Sequence, residues 1–156
     1  MVKNRKESAM RRFPSRITYT ILSLTWGLPL TLAGALTFAA LMLAGKRPRR
    51  FGYCFYIEVG ERWGGLEFGL FFLTHRDPPR MLCAHEHGHG LQNILWGPLM
   101  PFVITLPSAI RWHWRRTRDH HGHPPRRLYD AIWFEGQATR WGMALIEGIG
   151  EEKRTR

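Results

Sequence analysis

The chain has 156 residues and a formal net charge of +11, with a sequence pI near 10.8. This length suits a single domain with room for a membrane segment beside it. The charge predicts attraction to anionic surfaces, either lipid headgroups or nucleic acid, and carries no information about the fold. Two cysteines, Cys54 and Cys83, are too few for a disulfide framework, so we expect both to be buried free thiols.

The first 43 residues divide into a basic arm and an uncharged segment. Residues 1–16 carry six basic side chains and one acidic side chain, which predicts a poorly ordered basic arm. Residues 17–43 contain no charged side chain and are long enough to cross a bilayer with some tilt. We therefore predict a transmembrane segment over 17–43, with a kink at Pro29 and a re-entrant hairpin as the alternative.

A strand-like region separates this segment from the central motif. Phe51–Val59 is rich in aromatic and β-branched residues, Gly60–Gly65 supplies turn residues, and Leu66–Leu73 resumes an apolar run. The pattern predicts a β-hairpin. Its free edge either holds an extended substrate by backbone hydrogen bonds or simply packs on the next helix, and the sequence leaves both open.

The central motif is H-E-x-x-H, formed by His85, Glu86 and His89, in a helix expected to begin near Arg80. Residues four apart share one face of a helix, so both imidazoles can reach one metal ion. Zinc suits two neutral imidazoles, a third protein ligand and a water molecule in the open position. Glu86 lies at the edge of the same face, where a carboxylate can move a proton between a metal-bound water and a leaving amine.

A second uncharged stretch, residues 94–110, follows the motif. It contains three prolines, which argue against a plain helix through its middle: Pro98, Pro101 and Pro107. A broken membrane helix, an interfacial segment and a buried wall of the domain remain open for this stretch. Basic residues flank 17–43 on both sides, so the positive-inside rule does not fix its orientation.

Tryptophan and arginine alternate in the next segment, Arg111–Arg118. Such a segment could stack on nucleic acid, but beside an apolar stretch it favours an anchor at anionic lipid headgroups. Asp119–Pro125 contains His120, His121 and His123 and is expected to be a mobile loop over the site rather than a second metal site.

A second helix is predicted over Leu128–Glu147. Within it, Glu135, Ala138, Thr139 and Gly142 share one face at spacings of three and four residues. The small residues of this stripe let the helix approach another helix closely. The carboxylate beside them could then reach a metal ion bound by that other helix, as a third ligand must. Residues 148–156 are expected to be a charged tail.

Together the two helices resemble the gluzincin metallopeptidases, in which H-E-x-x-H and a glutamate on a downstream helix bind zinc. They are most similar to the membrane-associated branch with the prenyl-protein protease and heat-shock protease relatives, where the downstream helix has the pattern E-x-x-A-D-x-x-G, compared with Glu135–Gly142 here. His85–Gln92, followed by Gly97 and Pro98, also resembles small bacterial membrane proteins with H-E-Y/H-G-H-x-x-Q and a following G-P.

The resemblance covers residues 50–147 and implies a mainly helical α+β fold. That fold would be a minigluzincin-like core of a β-hairpin, the H-E-x-x-H helix and the glutamate helix, preceded by an N-terminal transmembrane helix. It also implies that His85, His89 and Glu135 bind Zn²⁺ and that Glu86 is the general base.

One position departs from the family pattern. Thr139 replaces the usual aspartate that orients a ligand histidine, and its hydroxyl can accept one hydrogen bond but carries no charge. The family's transition-state donor has no identifiable counterpart in the sequence. The candidates are His113, His120, His121, His123 and Tyr129.

The sequence thus predicts an integral-membrane zinc metallopeptidase that acts on a polypeptide substrate. We expect it in a bacterial cytoplasmic membrane, in contact with lipid, with the domain facing the cytoplasm and no specific nucleic-acid partner. The first alternative is an inactive metal-binding scaffold of the same fold. The second is a basic nucleic-acid-binding protein. The sequence specifies neither the substrate nor the oligomeric state.

Overall fold

The computed structural model describes residues 13–61, 63–122 and 131–155, with side-chain surroundings up to residue 150. The helices are α1 (Arg16–Leu24), α2 (Leu28–Leu43), α3 (Arg80–Trp96), α4 (Leu106–His120) and α5 (Trp133–Thr155). The strands are β1 (Arg49–Phe51), β2 (Cys54–Glu58), β3 (Gly65–Phe68) and β4 (Phe71–Thr74). The predicted mainly helical α+β class is confirmed. Most of the predicted basic arm, residues 1–12, lies outside the described residues.

Residues 17–43 form two helices instead of the single helix predicted, and the axes of α1 and α2 differ by 91°. Gly27 lies between them against the side chain of Asn93, whose amide donates to the Gly27 carbonyl at 3.3 Å. Pro29 falls in the first turn of α2, where its missing N–H leaves no hydrogen bond unmade. Within the described ranges, no single helix is both long and apolar enough to cross a membrane, and two bent helix pairs reach that length and composition only together.

The predicted single hairpin is wrong, because the region forms two tight hairpins. In each hairpin two antiparallel strands are joined by two residues that begin with a glycine at positive φ: Gly52 at 56° and Gly69 at 72°. Glycine adopts this conformation without strain and favours two-residue turns. Strands β2 and β4 then pair in parallel, which gives the sheet order β1-β2-β4-β3 and leaves β3 at an edge.

Helices α3 and α5 form the most extensive contact between elements. The approach depends on small residues on both helices. A Cβ atom at Gly88 would overlap the backbone carbonyl of Ala138, and one at Gly142 would overlap that of Ala84. The predicted stripe of small residues on the second helix therefore faces the motif helix, and it sets how closely the two backbones lie.

The second uncharged stretch ends α3 and starts α4 through a 3₁₀ turn (Gly97–Leu99) and a π-helical turn (Pro101–Thr105). Met100 and Ile104 on its inner side are buried in one core cluster with Leu30 and Phe134. Phe102 on its outer side is 71% exposed. The stretch is thus a wall of the domain that also presents an apolar outer surface.

Two predicted boundaries in the C-terminal third need correction. Helix α4 continues through His120 and ends where Gly122 takes up a φ of 73°, so part of the predicted 119–125 loop is helical. Helix α5 begins at Trp133 and runs to Thr155, so the predicted tail continues the helix. Gly148 and Gly150 stay helical instead of adopting the positive φ of a helix cap. The predicted helix start at Leu128 lies outside the described residues.

Candidate metal centre

Three side chains from α3 and α5 meet at one point. The Nε2 atoms of His85 and His89 lie 3.1 Å apart, and each lies 3.2 Å from Oε2 of Glu135. Ligand atoms about 2.0–2.1 Å from a tetrahedral zinc ion are separated by about 3.3–3.4 Å, so this triangle matches three corners of such a site. The three residues form a group that could hold a metal ion, and the predicted third residue on a separate helix is in place.

The hydrogen bonds of Thr139 fix the tautomer of His85. The Thr139 hydroxyl donates to the backbone carbonyl of Glu135, at 3.2 Å. Its oxygen lies 2.9 Å from Nδ1 of His85 and must therefore accept the Nδ1 proton. This leaves the lone pair of His85 Nε2 directed at the cluster, and Thr139 supplies the single hydrogen-bond acceptor expected of it.

Gln92 fixes the tautomer of His89 in the same way. Its amide nitrogen donates to the backbone carbonyl of Phe134 at 2.8 Å and to Oε1 of Gln137 at 2.9 Å. The amide oxygen of Gln92 therefore faces Nδ1 of His89, at 2.7 Å, and accepts its proton. When neutral, both imidazoles thus present Nε2 lone pairs to each other and to a carboxylate, an arrangement that a cation or a bound proton stabilises.

Charge at the cluster follows from this arrangement. Burial by itself raises the pKa of Glu135, but hydrogen bonds to His85 and His89 outweigh it and hold that pKa well below its usual range. Burial by itself lowers the pKa of His89, but the hydrogen bond and charge of Glu135 and the charge of Glu86 raise it to about 9. In the absence of a metal ion, the cluster therefore retains a proton at neutral pH.

A cavity of about 600 Å³ opens onto the cluster. The edge strand β3, the π-helical turn and α4 contribute to its walls together with α3. Glu86 faces this space, 4% exposed, and burial raises the pKa of its carboxyl, which favours uptake of a proton. Gly65 of the edge strand lies directly against the Glu86 carboxylate, because a Cβ atom at that position would overlap it.

Among the candidate donors that the structure describes, His113 is the one that lines the cavity. His120 and His121 are exposed at the C-terminal end of α4. His123 and Tyr129 lie outside the described residues. Helix α4 therefore contributes one candidate donor to the lining of the cavity.

Three further polar residues at the site had no predicted role: Gln92, Ser108 and Glu67. Ser108 on α4 donates to Oε1 of Glu135, the carboxylate oxygen that does not face the imidazoles. Glu67 on β3 lines the cavity, 5% exposed, and burial raises its pKa to about 8. Gln92 lies three residues after His89, a spacing that puts it on the same helix face, whereas nothing in the sequence points to Ser108 or Glu67.

Comparison with protein families, with curated proteins and with solved structures finds no match to this chain. The similarity to gluzincins therefore rests on the two helix motifs, and the chemistry of the site must be argued from its own geometry.

Proposed function

We propose that the protein is a zinc-dependent metallopeptidase attached to a membrane. The observation that supports this most directly is the convergence of two imidazole lone pairs and one carboxylate on a single point, each oriented by its own hydrogen-bond partner. Oriented imidazoles of this kind are typical of metal ligands. The H-E-x-x-H spacing favours zinc and a hydrolytic reaction over other metals that accept the same ligands.

A zinc ion held by His85, His89 and Glu135 would polarise a water molecule and a substrate carbonyl. Glu86 would take a proton from that water and deliver it to the leaving amine, and its raised pKa suits both steps. The N–H and C=O groups on the free edge of β3 would hold an extended peptide beside Glu86. His113, which lines the cavity, would donate a hydrogen bond to the developing oxyanion.

Attachment to a membrane is the second part of the proposal. Residues 17–43 carry no charge, and their exposed side chains are almost entirely apolar, Leu43 being 91% exposed. A bacterial cytoplasmic membrane with the cavity on the cytoplasmic side is the expected location, and a polypeptide near that membrane is the expected substrate.

An inactive scaffold of the same fold is the alternative function. The observation that favours it is Thr139, which orients His85 without the negative charge of the usual aspartate. Such a scaffold would bind zinc but would not depend on Glu86.

The first experiment measures metal content per chain in the purified protein and in two ligand variants, Glu135→Ala and His89→Ala. We expect near-stoichiometric zinc in the wild type and its loss in both variants, with Thr37→Val, which alters a hydroxyl remote from the cluster, as the folded control. Zinc that remains in Glu135→Ala, or iron in place of zinc, would contradict the proposed site.

The second experiment tests catalysis with Glu86→Gln. We expect zinc to remain bound while hydrolysis of an unstructured protein substrate falls about 10²–10⁴-fold, as removal of a general acid–base requires. Hydrolysis that is equal in both proteins, or that is absent from zinc-loaded wild type over a broad set of peptides, would favour the scaffold.

A further inference from the structure

The two uncharged stretches of the chain expose apolar side chains where a water-facing surface would carry polar ones. Within residues 17–44 every exposed side chain is apolar or a threonine, and Ile17 and Leu36 are 74% and 65% exposed. Within residues 95–110 every exposed side chain is apolar, with Phe102 at 71% and Ile110 at 60%. Large continuous apolar surfaces of this kind mark contact with a partner or a membrane.

These two surfaces adjoin each other. The indole of Trp26, between α1 and α2, donates to the backbone carbonyl of Leu95 at 3.4 Å, and Gly97 lies against its ring. Leu30 of α2 packs in one core cluster with Met100. The exposed side chains of residues 17–44 and 95–110 therefore form one surface, which we call the apolar face.

Both parts of the apolar face lie on sharply bent pairs of helical segments. The pair α1–α2 turns by 91°, and the pair formed by residues 80–99 and 101–120 turns by 116°. The first turn sets α2 at right angles to α1, and the second sends the later segment partly back, so in neither pair do the two segments continue in one direction as a spanning helix does. The second pair is apolar at its turn. Its charged side chains are Arg80 at one end, those within Arg111–His120 at the other, and Glu86, which is buried inside the domain.

The charges around the apolar face are those that anionic lipid attracts. Arg16 precedes the first uncharged stretch, and Lys46 and Arg47 follow it. Beyond the second stretch, the guanidinium of Arg116 lies 5.0 Å from the ring centre of Trp112. Interleaved tryptophan and arginine at the end of an apolar segment are typical of the headgroup region.

We propose that the apolar face enters one leaflet of an anionic phospholipid bilayer, and that both bent pairs leave the membrane on the side by which they entered. The inference refines the membrane attachment proposed above and does not depend on peptidase activity. A second copy of this chain is a poorer occupant, because it would bring two basic rims of the same sign together. The inner side of residues 100–112 lines the cavity, so this placement puts the candidate site at the membrane surface.

Four single-cysteine variants test the topology: Ser15→Cys, Lys46→Cys, Arg80→Cys and His120→Cys. They lie at the ends of the two bent pairs, and the native Cys54 and Cys83 are buried, so wild type gives the background. The full-length variants are expressed in bacteria, and sealed right-side-out and inside-out membrane vesicles are treated with a membrane-impermeant maleimide. We expect all four positions to react in one vesicle type and to be protected in the other until detergent is added.

Reaction of Ser15→Cys and Lys46→Cys in opposite vesicle types would establish a crossing by residues 17–43 and overturn the proposal. The same result for Arg80→Cys and His120→Cys would overturn it for the second pair. Protein that stays in the soluble fraction, including as an oligomer, would instead refute membrane attachment itself. Zinc content and hydrolysis are read separately, so none of these outcomes is confused with a failure of the peptidase proposal.

Purified protein and liposomes test which lipid is recognised. Phosphatidylcholine vesicles with and without phosphatidylglycerol are compared by flotation. We expect binding to require the anionic lipid and to fall about tenfold or more in Leu36→Glu and in Phe102→Glu, because a charge in the apolar region opposes insertion. Ala144→Glu, an exposed position on α5, adds the same charge outside the apolar face and should bind like wild type. Equal losses in all three variants would overturn the assignment of the face.

Discussion

Helix α3 buries polar side chains that proteins usually expose, and helix α2 exposes apolar side chains that proteins usually bury. Helix α3 buries Glu86, His87, His89, Gln92 and Asn93. Helix α2 has no charged residue and exposes most of its apolar side chains, so that its exposed surface resembles the interior of a soluble domain.

Each departure implies a partner outside the polypeptide. Buried imidazoles and carboxylates are costly unless a cation and hydrogen bonds compensate. Helix α3 has hydrogen bonds to His85 and His89 and a place for a cation between them and Glu135. Exposed leucines are costly in water but not in lipid. In the function that we propose, one helix of this domain serves a metal ion and another a membrane, and the two roles can be tested independently.

Removal of the metal ion should have the largest effect on stability. With free zinc about 1,000-fold above its dissociation constant, binding stabilises the fold by about 4 kcal/mol, equivalent to roughly 10 °C in Tm for a chain of this size. Chelation should remove this increment in wild type, as measured by calorimetry in detergent. If chelation lowers the Tm of Glu135→Gln by as much as that of wild type, zinc stabilises the protein from a site other than the proposed one.

Gly142→Ala should destabilise the protein by about 1–3 kcal/mol, because its methyl group would overlap the Ala84 carbonyl and separate α5 from α3. Zinc affinity should fall with it. The matched control is Gly150→Ala on the same helix, where a Cβ atom meets no neighbour within 4 Å. That change should stabilise the helix by up to about 1 kcal/mol. Denaturant titration of both variants compares them, and equal effects would mean that close helix approach is not required.

Thr139→Val should weaken zinc binding about 10–100-fold, because it preserves shape and removes the acceptor for Nδ1 of His85. Thr37→Val on α2 removes a hydroxyl that donates to a carbonyl one turn earlier, so its zinc affinity should match that of wild type. Competition with a chromophoric chelator measures both. Equal affinity in the two variants would show that the hydrogen bond on His85 does not orient a metal ligand.

Zinc affinity should rise with pH by about tenfold per unit until it levels off near pH 9. The pKa of His89 is raised to about 9, so below that pH the ion must displace a proton that the apo protein holds. Proton release on zinc binding, measured by calorimetry in buffers of different ionisation enthalpy, gives an independent check. Affinity that is constant across this range would mean that His89 is neutral before the metal binds.

The smallest effect is expected on the exposed side of α2. Leu36→Ser should change the free energy of unfolding by less than about 0.5 kcal/mol in detergent, since the side chain is 65% exposed and packs on little of the protein. Leu30→Ser on the same helix removes a side chain that is 7% exposed and should cost roughly 2–5 kcal/mol. A large loss of unfolding free energy in Leu36→Ser would show that α2 packs against protein at this position. The exposed apolar surface that distinguishes α2 from α3 would then not exist.

The residues at the metal centre could be predicted because their placement follows from local geometry. The four-residue spacing puts His85 and His89 on one helix face, and a stripe of small residues beside Glu135 indicates the face that approaches another helix. Thr139 could be assigned to a ligand histidine through the resemblance, because it occupies the position of the family's usual aspartate. Ser108 could not, because the π-helical turn before α4 determines where it lies, and that turn depends on packing against α2 and α5.

The sheet and the N-terminal helices were predicted less well, since long-range contacts decide them. Gly52 and Gly69 occur within apolar runs that suggested two long strands, and their positive φ values turn the chain after only a few residues. The parallel pairing of β2 with β4 then joins segments that are distant in sequence. Similarly, the break between α1 and α2 coincides with the contact of Gly27 with Asn93, 66 residues further along the chain.

The hydroxyl of Ser108 links the metal centre to the outer surface of the domain. Ser108 lies on the inner side of α4 and donates to Glu135, while Leu106 and Ile110 of the same helix are exposed. A rotation or tilt of α4 by neighbouring lipid would withdraw this donor and make the carboxylate more basic. A more basic carboxylate would bind both zinc and protons more tightly, so the affinity of the proposed third ligand would depend on how this helix lies at its boundary.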